Sequence, residues 1–171
     1  ALTALNTKID SDSSTTTLRE DLKIVTQSYR IFALVIPQGQ ISAAADRAAP
    51  TIGMMQAYAT KLQARLQAVE AGIDTAAATA AFNDFTTKLT DAQTKSQAAI
   101  DVILPLQPDN GDKSIFEKNN AALKQARTDL QAAHQDIVAA RKALETLRKI
   151  LKDAKVPPPQ ASTTPSTGSS N

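Results

Sequence analysis

The chain lacks several of the residue types on which common sites and scaffolds depend. Among its 171 residues there is no Cys and no Trp, aromatic residues make up 4%, and Gly occurs five times. Without Cys, the chain has no disulfide framework, no thiolate metal site and no cysteine nucleophile. Without Trp it also lacks the strongest interfacial membrane anchor. What it has in excess is alanine, with 31 residues.

Charge and long apolar runs are also limited. The formal net charge is +2, and the longest uninterrupted apolar run, Ile31–Ile36, is six residues, far below the ~20 that a membrane-spanning helix needs. The basic residues concentrate near the end of the last predicted helix, where they outnumber Glu145 and Asp153. They are Arg141, Lys142, Arg148, Lys149, Lys152 and Lys155. Cations at this position complement the helix dipole, so we expect no nucleic-acid partner, with phosphate binding as the open alternative. We also expect no membrane contact, because aromatic residues are scarce.

Four stretches of the chain carry apolar or small residues at alternating spacings of three and four, which is the pattern of helices packed in a bundle. We call these four sets of residues the first to fourth seams. The first is Leu18, Leu22, Val25, Tyr29, Phe32 and Ile36. The second is Ile41, Ala45, Ala48, Ile52, Met55, Ala59, Leu62, Leu66, Val69 and Ile73. The third is Ala78, Phe82, Phe85, Leu89, Ala92, Ser96, Ala99 and Ile103. The fourth is Leu123, Ala126, Leu130, Ala133, Ile137, Ala140, Leu144, Leu147 and Leu151.

Turn and capping residues separate the seams. Asp10–Ser14 is polar and precedes a capping-box spacing at Thr17 and Glu20, and a second such spacing lies at Ser114 and Glu117. Pro37 and Gly39 predict a turn after the first seam, Gly72, Asp74 and Thr75 predict one after the second, and Pro105–Asp112 predicts one after the third. The predicted fold is all-α: an elongated, antiparallel up-and-down bundle of four helices with left-handed, coiled-coil-like packing.

The segment boundaries complete this prediction. The second seam keeps its spacing across Pro50, which predicts one continuous, kinked helix, with a break near Ala49 as the alternative. The first segment is shorter than the others, and Leu2, Leu5 and Ile9 precede it without an N-cap. We therefore expect residues 1–10 to be the remnant of an upstream helix, 16–154 the bundle, and 156–171 a disordered Pro/Ser/Thr-rich tail.

Candidate chemistry in the sequence is sparse. His134 is the single histidine, and it has no second histidine at helical spacing with which to hold a metal. Asp109, Asn110, Gly111 and Asp112 lack the register of a calcium loop and are better interpreted as a turn followed by an N-cap.

The third candidate functional group in the sequence is a set of charged residues. Asp84, Lys88, Asp91 and Lys95 predict a solvated face with i,i+4 ion pairs. We therefore predict no catalytic, cofactor-binding or metal-ligating residues, no cofactor and no enzymatic activity.

Several segments of the chain are similar to an uncharacterised group of exported, Ala-rich helical proteins of candidate phyla radiation (Patescibacteria) bacteria. The segments are 21–37 with its ending Tyr29–Pro37, 43–47, 108–113, and 126–142. The resemblance implies export and precursors in which a signal peptide and a further helical stretch precede the part matching Leu2–Ile9. It implies no catalytic residue.

Together these observations favour a non-enzymatic, exported structural or interaction protein, such as a cell-surface spacer, a coat or fibre subunit, or an adhesion module. The localisation expected is extracellular or at the cell surface. The partner expected is a second copy, giving a homo-oligomer or self-assembly, or an unidentified protein or cell-surface partner. The alternative is an amphipathic helical binder of lipid or hydrophobic ligands.

Overall fold

The computed structural model describes residues 2–11, 14–67 and 75–153 of the chain. Four helices account for 93% of this part, and it contains no strand. They are α1 (Leu2–Ser11), α2 (Thr15–Gln67), α3 (Thr75–Ile103) and α4 (Lys113–Asp153). The helices pack against one another, so the predicted all-α helical bundle is confirmed.

The chain divides into two compact units. Unit 1 takes Ala1–Pro50 and Ala92–Gln135, and unit 2 takes Thr51–Asp91 and Asp136–Asn171, so α2, α3 and α4 each contribute to both. The buried core of unit 1 consists of Leu34, Ile41, Ala99, Ile103, Leu123 and Ala126. That of unit 2 is larger and consists of Ala59, Leu62, Ala78, Phe85, Leu89, Ala140, Ala143, Leu144, Leu147 and Leu151.

The second, third and fourth seams supply all of these core residues except Leu34 and Ala143. In the described part, every member of the third and fourth seams is buried or half-buried, and so is every member of the second from Ile41 to Leu66. Alanine lies at many of the most buried positions, including Ala92, Ala99 and Ala126, which are fully enclosed. A small side chain at such a position lets two helix backbones approach closely, so these buried alanines serve packing.

The predicted turn at Pro37 and Gly39 is wrong, because α2 continues through both residues. Proline removes one backbone hydrogen bond inside a helix and costs about 3 kcal/mol there. Leu34 and Ile41 lie on either side of Pro37, seven residues apart, and both are buried in the same core. The Gln38 side-chain amide also donates to the carbonyl of Ile103, at the end of α3 (2.8 Å). Packing on both sides of Pro37 therefore keeps α2 helical across a proline and a glycine that favour a turn.

Pro50 also lies inside α2, and the prediction of a helix continuous across it is confirmed. Pro50 itself is exposed, while Ala45 and Ile52 on either side are buried. The segment predicted as a separate short helix is thus the first part of α2. The upstream helix was inferred partly because the first segment, taken as a separate helix, is shorter than the others. Since that segment is part of α2, its length no longer supports an upstream helix, which stays a prediction.

Both predicted capping boxes are wrong by two or three residues. The backbone N–H of Thr16 donates to Ser14 Oγ (3.2 Å), so Ser14 rather than Thr17 caps α2. The N–H groups of Ser114 and Ile115 donate to Asp112 Oδ1 at 2.7 and 3.1 Å, so Asp112 rather than Ser114 caps α4. The predicted non-helical stretch before α4 is confirmed, since 104–112 contains no helix.

Some predictions fall outside the described residues. The turn residues Gly72 and Asp74 and the tail 156–171 are among them, and so are the side chains of Leu2, Leu5 and Ile9.

Candidate interaction surface

In the described part of the chain, the first seam is largely exposed to solvent. Four large apolar residues of the first seam are exposed on one side of the N-terminal part of α2, with exposed fractions of 38% to 65%, and we call them the α2 apolar face. They are Leu18, Leu22, Phe32 and Ile36. The prediction that the first seam packs against another helix of the bundle is therefore wrong in the described part of the chain, apart from Val25, which is half-buried.

The spacing between the first two seams explains this exposure. From Ile36 to Ile41 the chain advances five residues, which turns the apolar stripe by about 140° in a continuous helix. Leu34 and Ile41 face the core of unit 1. Phe32 and Ile36 lie two residues from Leu34, about 200° around the helix, and so point away from that core. One helix thus presents two apolar faces, of which the fold buries one.

The surroundings of the α2 apolar face are nearly free of charge. Between Ile24 and Ala45, Arg30 is the only charged residue. Depletion of charged residues and enrichment of apolar ones are typical of the centre of a protein interface. Of the twelve exposed large apolar residues in the described part, ten belong to unit 1 and two, Met54 and Val138, to unit 2.

Arg30 is engaged within the molecule. Its Nη1 lies 3.1 Å from Asp109 Oδ1, and its guanidinium lies over the Phe116 ring, 5.4 Å from the ring centroid. Asp109 is buried, so this ion pair is partly shielded from solvent. The pair joins α2 to the connection between α3 and α4.

The rest of that connection is held by its own hydrogen bonds. Asp109 Oδ1 accepts from the N–H of Gly111 (2.8 Å), and its carbonyl accepts from the N–H of Asp112 (2.7 Å). Asn110 and Gly111 have positive φ values of 47° and 93°, which Asn and Gly tolerate best. On the other side, the Asn119 side-chain amide donates to the carbonyl of Gln107 (2.8 Å). The interpretation of 109–112 as a turn followed by an N-cap is confirmed.

A second ion pair joins two helices in unit 2. Lys88 Nζ lies 3.4 Å from Asp136 Oδ1 on α4 and 3.9 Å from Asp91 Oδ2. The predicted i,i+4 pairing of Lys88 with Asp84 is therefore wrong. Asp136 is buried, and a buried carboxylate next to a lysine favours the interhelical contact over an exposed one along α3. Sequence spacing carries no signal for a partner on another helix.

At its N-terminal end, α2 is contacted by α1. Lys8 Nζ donates to Asp21 Oδ1 at 2.5 Å, and Asp21 is fully buried. A fully buried acidic residue was not predicted from the sequence, because Asp21 lies in a stretch with ordinary surface polarity.

The remaining candidates from the sequence are not brought together. His134 is exposed on α4. Within the described ranges, no three His, Asp or Glu side chains converge as a metal site would require.

The second candidate surface is a groove in unit 2, with a volume of about 280 Å³. It is lined by Thr51, Met54, Met55, Tyr58, Arg141, Leu144 and Arg148. Two of the basic residues noted near the end of α4 therefore lie beside apolar side chains, and Arg148 lies over the Tyr58 ring, 5.1 Å from its centroid.

In the part of the chain that the structure describes, these features define an all-α helical bundle with an exposed apolar face on α2 and an apolar groove edged by arginine. In comparisons with known proteins, no family model, curated protein or solved structure matches the chain. Over the residues described, none of the helices is both long and apolar enough to cross a membrane.

Proposed function

We propose that this chain is a non-enzymatic, exported structural or interaction protein that works through the α2 apolar face, which pairs with the same face of a second copy. Such pairing suits a cell-surface spacer, a coat or fibre subunit, or an adhesion module. The single observation that carries the proposal is the exposure of the first seam: Leu22, Phe32 and Ile36 are each more than half exposed.

The pattern of the first seam supports a helical partner. Residues 18–36 alternate spacings of three and four over about 27 Å of helix, and this spacing packs best against another helix with the same repeat. A second copy supplies that repeat. The face leaves on the order of 500 Å² of residue surface open, which is at the upper end of what a typical monomer exposes and approaches the ~800 Å² per partner of a standard interface.

Export is supported by the resemblance to exported Ala-rich helical proteins and by the Pro/Ser/Thr-rich composition of 156–171.

Mass measurement by light scattering after size-exclusion chromatography, over a wide range of concentrations, tests self-association. We expect a concentration-dependent dimer for the unaltered chain and a monomer for Leu22→Gln combined with Phe32→Gln. The matched control is Ile24→Gln combined with Ile31→Gln. Ile24 and Ile31 are exposed on the same helix but lie roughly 80–180° around it from Leu22 and Phe32. Far-UV circular dichroism checks that all variants stay folded.

The control double variant should dimerise like the unaltered chain. A monomer for the unaltered chain at every concentration, or equal loss of dimer in both double variants, would contradict the proposal.

A second candidate function, binding of a lipid or hydrophobic ligand, is favoured by one separate observation, the groove in unit 2. It concerns other residues than the α2 apolar face, and the two functions are compatible in one molecule.

A further inference from the structure

The groove in unit 2 concentrates the most adaptable apolar side chains of the protein. The chain has two methionines, and both Met54 and Met55 line the groove. Methionine is unbranched, flexible and polarizable, so it adjusts to apolar ligands of different shape. Met54 is 68% exposed, the most exposed large apolar side chain but one in the described part of the chain. An exposed methionine at the edge of a groove suits a ligand better than it suits the core.

The floor of the groove is apolar and already formed. Leu144 is buried, while Met55 and Tyr58 are half-buried and pack against the core of unit 2. A volume of about 280 Å³ lies just below the ~300–1,000 Å³ of sites that take drug-sized ligands. The space is large enough for one short alkyl chain.

Two guanidinium groups edge this apolar floor. Arg141 and Arg148 are seven residues apart, two turns along α4, and so project from the same side of the helix. Among the described residues, those that line the groove include no acidic one. Glu145 is exposed between the two arginines along α4, outside the lining.

The two arginines differ in the contacts that their guanidinium groups already make. Arg148 is held beside the groove by its contact with the Tyr58 ring. In the part of the chain that the structure describes, Arg141 makes no ion pair with any acidic side chain. Its charge is thus available to an anion from solution, and a guanidinium matches the planar geometry of a carboxylate.

We propose that this groove binds a free, single-chain alkyl carboxylate. The alkyl chain lies along Met54, Met55 and Leu144, and the carboxylate pairs with Arg141 and Arg148. The inference rests on the second candidate function and names its ligand class. It is independent of the α2 apolar face, which belongs to unit 1.

Nuclear magnetic resonance of the full chain labelled with [¹³C-methyl]methionine tests the proposal directly, because both methionines line the groove and each methyl signal reports on it. Decanoate, kept below its critical micelle concentration, should shift both methyl signals with saturable behaviour. Acetate carries the same headgroup without the chain and should leave both signals in place. Decanol carries the chain without the charge and should bind at least about tenfold more weakly than decanoate.

Charge variants locate the headgroup. Arg141→Gln combined with Arg148→Gln should weaken decanoate binding at least about tenfold. Lys142→Gln combined with Lys149→Gln removes the same charge from exposed neighbours that do not line the groove, and should leave binding within about twofold. Leu22→Gln combined with Phe32→Gln should leave decanoate binding unchanged, so a failure of self-association and a failure of ligand binding are separately visible.

Several results would overturn the proposal. If the methyl signals do not shift with decanoate, the groove does not bind this ligand. If decanol and decanoate bind equally, the arginines do not pair with the carboxylate. Equal weakening by the arginine and lysine pairs would indicate general attraction of anions. Shifts with phosphatidylglycerol vesicles but not with decanoate would assign the surface to a membrane headgroup instead of a free carboxylate.

Discussion

Two stretches of the chain have seams of the same spacing and differ in what surrounds them. The third seam, on α3, is buried or half-buried along its length, and its Phe85 has no exposed surface. The first seam, on the N-terminal part of α2, contains Phe32, which is 57% exposed. Both patterns predict a helix with one apolar stripe. The difference between them shows that seam spacing reports which residues share a helix face, but not whether the protein itself covers that face.

The difference between the two phenylalanines should be large when stability is measured. Phe85→Ala removes a fully buried ring and should lower the free energy of unfolding by about 3–5 kcal/mol, from lost burial and the cavity left behind. Phe32→Ala changes a largely exposed ring and should alter it by less than about 0.5 kcal/mol. Urea unfolding followed by circular dichroism measures both values. The solution is kept dilute so that self-association does not contribute to the free energy of unfolding. Equal effects would mean that Phe32 is covered within one molecule, and would contradict the difference in burial between the first and third seams.

The direction in which the first seam points depends on α2 being continuous through Pro37. A substitution of Pro37 tests this continuity. Pro37→Ala restores a backbone hydrogen bond inside a helix and should raise the free energy of unfolding by about 1–3 kcal/mol. This gain is partly offset because the unfolded chain becomes more flexible. Urea unfolding of the variant supplies the measurement.

Pro105→Ala is the control, because Pro105 lies in the non-helical connection after α3, where no such gain is expected. If Pro37→Ala left stability unchanged or lowered it, α2 would be interrupted there and the first seam would be free to turn towards another surface.

The smallest of the three effects concerns where α4, which carries the fourth seam, begins. Asp112→Ala removes the side chain that accepts two backbone N–H groups and should cost about 1 kcal/mol. Ser114→Ala should change stability by less than about 0.5 kcal/mol, since Ser114 lies inside α4 and is exposed. A larger loss from Ser114→Ala, again measured by urea unfolding, would restore the predicted capping box.

Most of the helical content could be predicted from the sequence, since apolar spacing and turn residues are local. The same locality explains the errors at helix starts, where Ser14 and Thr17, or Asp112 and Ser114, are all suitable caps by residue type. The candidate sites were harder to predict. The pairs Arg30–Asp109 and Lys88–Asp136 join residues far apart in the chain, and the groove combines side chains of α2 and α4 that share no motif.

The sequence by itself determined that the described part of the chain is helical, which residues share each helix face, and which alanines allow close packing. These properties depend on backbone geometry and on spacing within one helix. The tertiary structure alone decided that α2 passes through Pro37. Leu34 and Ile41 pack into one core on both sides of the proline, and their burial outweighs a single missing hydrogen bond. That continuity turns Leu22, Phe32 and Ile36 away from the core, and so made the first seam a surface instead of an interior.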